Sequence, residues 1–158
     1  MAGETLALVP FTLDDRRCAL RLDVVVRVEQ AVRITPLPDA PPVVLGLVDW
    51  HGTLVPVVDL RVRFGMPSRP ERAEDHLVVA RTSRRLLAVL ADAVEPVVEV
   101  DAAGLLPLDD MIPGATAVAG VARLADGLVV VHDLDTALSL DDETALDQAL
   151  ARRGEVGL

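Results

Sequence analysis

Apolar and polar residues alternate in short runs along this chain, and the runs predict strands. Val43, Val44, Leu45, Leu47 and Val48 lead into a turn at His51-Gly52, and Leu54, Val55, Val57 and Val58 lead out of it. Branched runs of this length bounded by glycine read as two paired strands. Pro56 has no N–H to give a ladder, which places it at a strand edge or a bend. Asp59 then caps a short helical turn. The same reading predicts three more hairpins. They are 5–13 with 18–22 across Asp14-Asp15-Arg16, 76–81 with 86–90 across Thr82-Ser83-Arg84, and 117–124 with 128–132 across Ala125-Asp126-Gly127. An Asp-Gly pair is a strong hairpin signal. The run 23–28 stays apolar, and 94–100 extends the third hairpin with a bend at Pro96. Prolines at 36, 38, 41 and 42 make 34–42 an extended surface connector. Segments 66–75 and 101–116 read as irregular. Only 141–153 has a helical pattern, with an acidic first turn, Ala145, Leu146, Ala149 and Leu150 on one face, and Arg152-Arg153 at its end.

The two halves echo one another. RRCALRL at 16–22 resembles RRLLAVL at 84–90, and Gly46 and Gly120 each stand thirteen residues before an Asp-Leu pair, at Asp59 and Asp133. Each copy is short for a core of its own, so the two should share one. The chain, 1–158, thus reads as a single domain. Its halves are roughly 16–66 plus a terminal segment, and 75–140, followed by the helix at 141–153.

Composition narrows the function classes. Hydrophobic residues make up 51% of the chain, which excludes disorder, and with 2% aromatics the core falls to Val, Leu and Ala. The net charge of −10 argues against nucleic acid and anionic lipid as partners. All 15 basic residues are Arg, which reads as codon bias, and the pairs at 16–17, 84–85 and 152–153 read as solvated turns and a helix end. Cys18 is the lone cysteine. It excludes an internal disulfide and, in an apolar run, reads as a buried inert thiol in a reducing compartment. The first residues show no signal-peptide pattern, and no apolar run reaches the ~18–20 residues of a membrane helix. A soluble cytoplasmic protein without membrane insertion is expected.

Candidate chemistry is sparse. His51, His76 and His132 each lie near an aspartate (Asp49, Asp75, Asp133), but their spacing fits no zinc motif. No nucleophile elbow, phosphate loop, dinucleotide fingerprint or paired-cysteine motif is present. Asp92, Asp101, Asp109, Asp110, Asp141 and Asp142 form no paired-carboxylate spacing and read as solvated surface. No enzyme activity, cofactor or metal is expected, with a histidine-based metal-binding protein or hydrolase as the remote alternative. A β domain poor in catalytic residue types reads as a binding module, since sheets offer edges and grooves.

The stretch GLVDWHGTLVPVVDLRVRFG at 46–65 carries a resemblance. Its glycine, short strand, x-Gly turn and V-P-V-x-D-L pattern, with FTLDDRRCALRL and ITPLPDAP upstream and HLVVARTSRRLLAVLADAVEPVVEV and GVARLADGLVVVHDLDTAL downstream, is similar to the CheW-like domain over 6–140. The resemblance implies a mainly β fold of two pseudo-repeated five-stranded SH3-like barrels sharing one apolar core, with a C-terminal helix. It implies a non-catalytic adaptor that couples chemoreceptors to a chemosensory histidine kinase. Such a domain binds the receptor's cytoplasmic tip in the groove between barrels, and the kinase regulatory domain end to end through barrel surfaces. Other CheW-like domains are a further partner class, and membrane receptor arrays are where the protein would be recruited.

The resemblance also marks positions. Val25 matches a branched residue of the receptor groove, and Val94 and Val97 match groove residues of the second half; each is equally readable as a core valine. Gly52 matches the glycine of the family's Arg-Gly turn, where a positive φ alone would explain it. His51 stands where the family usually has Arg, and Arg27 where it often has the Glu able to pair with it. Both members of that pair have changed, as when an ion pair is lost as a unit, and His cannot reproduce the bidentate fork of Arg. Trp50, in place of a small or aliphatic residue, reads as an interface anchor or a core plug. These departures support an alternative: a divergent CheW-like interaction or oligomerisation module outside standard receptor–kinase coupling.

Overall fold

The computed structural model describes residues 4–106 and 118–155. Among these residues eleven strands and two α-helices follow in chain order: β1 (Thr5–Leu13), β2 (Arg16–Arg21), β3 (Val25–Gln30), β4 (Val44–Trp50), β5 (Thr53–Val58), α1 (Leu60–Arg63), β6 (His76–Arg81), β7 (Leu86–Ala91), β8 (Ala93–Val94), β9 (Val98–Asp101), β10 (Val118–Leu124), β11 (Gly127–His132) and α2 (Leu140–Glu155). The four expected hairpins form at the expected turns. Asp109 and Asp110 lie outside the described residues.

The strands make two sheets. One runs β10-β11-β2-β1-β8 with β9 also on β1; the other runs β3-β6-β7-β5-β4. The internal repeat is real but exchanged. The first hairpin of the first copy, β1–β2, joins β8–β11 of the second copy. The first hairpin of the second copy, β6–β7, joins β3–β5 of the first. Each junction is a short parallel pairing, Val130 beside Cys18 in one sheet and Val57 beside Ala88 in the other.

The barrel expectation is overturned: neither sheet closes. Among the described residues the end strands of each sheet share no ladder, and a single bridge approaches closure on each side, Thr35–Leu47 and Leu106–Val121. The cause is local. After Thr35 the connector runs Pro36, Leu37, Pro38, so on that side the chain cannot supply the run of N–H donors a closing ladder needs. Pro96 likewise splits one strand into β8 and β9. At each bridge a glycine lets the backbones approach. A Cβ on Gly46 would lie 2.2 Å from the Thr35 carbonyl oxygen, and one on Gly120 would lie 2.7 Å from that of Leu106.

The core has three parts. A central apolar cluster joins both sheets through Phe11, Leu20, Val58, Val78 and Leu87 and receives Leu146 and Ala149 from α2. Each sheet also buries a cluster of its own, around Val48, Val57 and Leu90 in one and around Leu8, Val129 and Val131 in the other. Helix α2 starts in a reciprocal cap: Asp142 N–H donates to Ser139 Oγ at 3.0 Å, and Ser139 N–H to the Asp142 carboxylate at 3.1 Å. Pro56 departs from its expected place at an edge. It sits buried in β5, opposite Leu47, which gives both backbone groups to Thr35, while the parallel ladder to β7 engages only Val57 and Val58. No ladder hydrogen bond is therefore asked of it.

After β5 and after β11 the chain makes the same turn. Asp59 Oδ1 accepts from Arg61 N–H, and Asp133 Oδ1 accepts from Asp135 N–H, each at 3.0 Å. The residue two beyond each cap then crosses to the hairpin turn of the other sheet. Arg61, fully buried, donates to Asp92 at 2.6 Å and reaches Asp14 at 3.4 Å. Asp135 accepts from the N–H and Oγ of Ser83, both at 2.7 Å. Asp92 was expected on a solvated surface, but it also accepts from Asp14 N–H and Arg69 and is only 14% exposed. Arg69 grips the fully buried Asp75 with both terminal nitrogens, at 2.7 and 3.0 Å. Burial pushes the Asp75 and Asp92 carboxyls up, but their hydrogen bonds together outweigh it and hold both below the usual carboxylate range.

Candidate functional site

The β4–β5 turn and β3 stand at opposite ends of one sheet, yet the sheet curls until they meet. The turn is a two-residue link with both φ values positive, +52° at His51 and +84° at Gly52. That twist suits a tight hairpin, and it projects the His51 ring outward. The Asp49 carboxylate accepts from Gly52 N–H at 2.9 Å and steadies the turn. An alanine methyl at Gly52 would meet no neighbour, so the dihedral alone favours glycine there.

Across the gap lies Glu29. Its Oε1 lies 3.0 Å from Arg27 Nε, an ion pair, and 3.5 Å from His51 Nε2. Arg27 and Glu29 are two apart on a strand, so they share a face. This revises the picture of an ion pair lost as a unit. The acid stands two residues along β3, and Arg27 and the replaced basic position, His51, flank it. Glu29 was not singled out from the sequence, although period-two counting from Arg27 points to it. The indole of Trp50 packs edge-on to His51, with ring centroids 5.0 Å apart and 73° between planes. Its inner side lies against the cluster beneath this sheet. Its buried Nε1 meets no hydrogen-bond acceptor among the described residues. The tip therefore offers a guanidinium, an imidazole and half an indole around one carboxylate, with Leu54, half exposed, beside it.

The valines divide differently. Val25 pairs with Ala80 at the start of β3, and Val94 pairs with Phe11 in β8. Counted from the two parallel junctions they are equivalent positions of the two copies, and both pack against the central cluster that joins the sheets. Val97 lies in the break between β8 and β9 and is 50% exposed. The predicted residues thus fall into a tip group (Arg27, Trp50, His51, Gly52), an inter-sheet pair (Val25, Val94) and Val97 beside the proline break. Exposed Val26, Val28 and Val32 along and after β3 add an apolar edge that the sequence reading passed over.

The histidines occupy separate settings. His51 is at the tip, His76 begins β6, and His132 is buried between Phe11 and Phe64. Among the described residues no group of three or more His, Cys, Asp or Glu side chains is arranged to hold a metal ion. Burial pushes the Cys18 thiol up to about 12, which keeps it protonated and unreactive. Among the described residues no helix is long and apolar enough to cross a membrane.

Comparison with known proteins gives one consistent family. The CheW-like domain profile matches residues 7–142. The chain is 24% identical over 140 residues to the chemotaxis protein CheW of Rhizobium meliloti (strain 1021), covering 87% of this chain and 90% of that one. It is 22% identical over 151 residues to the chemotaxis protein CheW of Klebsiella aerogenes, covering 93% and 91%. Its fold is similar to that of the scaffolding protein TtCheW from Thermoanaerobacter tengcongensis, with a TM-score of 0.77 at 24% identity over 89% of this chain and 92% of that one.

Proposed function

The chain belongs to the CheW-like domain family, and from that membership we infer that it is a non-catalytic adaptor that couples chemoreceptors to a chemosensory histidine kinase. The observation that carries this reading is the family match over 7–142, which spans every strand but the first residues of β1. The relatives it resembles are chemotaxis proteins, and the solved structure it resembles is a scaffolding protein.

The finer assignment follows from position. Val25 and Val94, at equivalent places beside the inter-sheet core, with Val97 next in line, form the surface for the receptor's cytoplasmic tip. The tip group of Arg27, Glu29, Trp50, His51 and Gly52 contacts the kinase regulatory domain or another CheW-like domain. A half-buried aromatic ringed by charge suits such a contact, because its core would be apolar and its rim polar. The protein acts in the cytoplasm, held at membrane arrays by its partners.

The test is binding of the purified chain to a receptor-tip fragment and to the kinase regulatory domain of the same organism. The adaptor reading expects both to bind, with Val25→Asp weakening only the receptor and Trp50→Ala only the kinase. If neither binds while the fold is intact, the coupling reading falls, and an interaction module outside receptor–kinase coupling takes its place.

A further inference from the structure

The two sheets leave equivalent gaps between their end strands, and the gaps are filled differently. Ala19 beside Val131 and Ala88 beside Val57 mark corresponding points of the two sheets. Counting outward from them, Leu8 corresponds to Leu77, and their partners Val98 and Glu29 correspond to each other. On the other side, Trp50 opposite Thr53 corresponds to Leu124 opposite Gly127, and the first turn residue is His51 in one sheet and Ala125 in the other. One gap is therefore closed by an indole, an imidazole and a glutamate. The other has leucine, alanine and valine at the same three places, and there lies a groove of about 640 Å³ between β9 and the β10–β11 turn.

We propose that this groove is a binding site for an aromatic side chain that a partner protein presents beside a basic residue. The shape argument is the sister gap, where this fold seats Trp50 in the corresponding space with the His51 ring edge-on to it. The floor is apolar, from Val98, Val100 and Leu124, all partly exposed and packed on the cluster beneath the sheet. The charge argument is the rim. It carries Glu99, Asp101 and Asp126 against Arg17 and Arg123. Arg17 and Asp126 are committed to each other at 2.6 Å, and Arg17 to Glu95 at 2.7 Å, which leaves Glu99 and Asp101 against Arg123. The rim left for a ligand is thus acidic, and a cation beside the ring complements it. The proposal does not depend on receptor–kinase coupling, and its failure would leave that reading standing.

The test uses the full chain and the blocked dipeptide N-acetyl-Trp-Arg-amide, followed by amide chemical shifts. Saturable shifts confined to Val98, Val100, Leu124 and their neighbours are expected by about 10 mM peptide, a reasonable range for so small a ligand. N-acetyl-Trp-Glu-amide should bind more weakly, by about threefold or more at low salt. Leu124→Trp should fill the groove from within and abolish the shifts. Ala125→Trp, at an exposed turn position, should do the same without touching the packed interior. Absence of saturable shifts, equal binding of the two peptides, or unchanged shifts in a folded Ala125→Trp protein would each overturn the proposal.

Discussion

Arg61 and Asp135 hold the same place in the two copies of the repeat, two residues beyond a capping aspartate, and each ties its sheet to a hairpin turn of the other. The ties differ in kind. Arg61 is fully buried, bonded to Asp92 and in reach of Asp14, and Asp92 is shared with Arg69 and the Asp14 N–H. Asp135 is exposed, and its carboxylate accepts from the N–H and Oγ of Ser83. The backbone repeat therefore sets where the sheets are tied, and burial sets how much each tie carries. A buried charge must be matched, and its removal leaves a partner stranded, whereas an exposed carboxylate falls back on water.

The largest break in this comparison is Asp92→Ala. It leaves Arg61 buried without its principal carboxylate and Asp14 N–H without its acceptor. A loss of about 3–5 kcal/mol is expected, from the cost of breaking one side of a buried pair. Urea unfolding of wild type and variant reads it directly. A loss under about 1 kcal/mol would mean that Arg61 is solvated and that the two ties are alike after all.

Acid sharpens the same contrast. The Asp75 and Asp92 carboxyls lie below their ordinary values in the folded chain because hydrogen bonds from Arg69, Arg61 and backbone N–H groups outweigh burial. A depressed folded value contributes stability that is fully present above the unfolded value, near 3.9, and is lost as pH falls through the folded value. Stability should therefore drop below about pH 4. Asp135 is lowered as well, by the hydroxyl and N–H of Ser83, so some acid dependence survives the loss of the buried tie. Asp92→Ala should flatten the slope between about pH 5 and 2 without abolishing it. Parallel slopes for the two proteins would show that Asp92 is not the group responsible.

The strands and turns were legible because their signals are local. Asp14-Asp15, His51-Gly52 and Asp126-Gly127 lie at chain reversals, and the spacing from Gly46 to Asp59 and from Gly120 to Asp133 marks a bulge and a cap in each copy. The exchange of hairpins between copies was not legible, because it depends on which distant strands pair, and Val57 beside Ala88 leaves no trace in either segment. Closure into barrels was over-read from the same repeat. The prolines at 36 and 38 that prevent a closing ladder on one side are visible in the sequence, but their effect needs the strand order. Arg61 was hidden because a short Arg-rich helical turn usually faces water. At the candidate site His51, Gly52, Trp50 and Arg27 each stand out in the sequence one at a time. The carboxylate between Arg27 and His51, Glu29, does not, because the resemblance points to other positions and only the curl of the sheet brings β3 to the turn.

The smallest expected effect is Ser83→Ala. It removes one hydroxyl donor from Asp135 but keeps the backbone N–H that shares the same oxygen. The carboxylate is exposed, so water replaces the lost bond, and the cost should be about 0.5–1 kcal/mol, the net worth of one hydrogen bond. The variant also tests the division of labour between the ties. Combined with Asp92→Ala, its effect should add to within about 0.5 kcal/mol, since the two ties share no residue. A combined loss much smaller than the sum would mean that opening the buried tie already releases the exposed one. The sheets would then part as one unit, and the copies would be coupled through the central cluster around Phe11 and Leu87 rather than held by two separate fastenings.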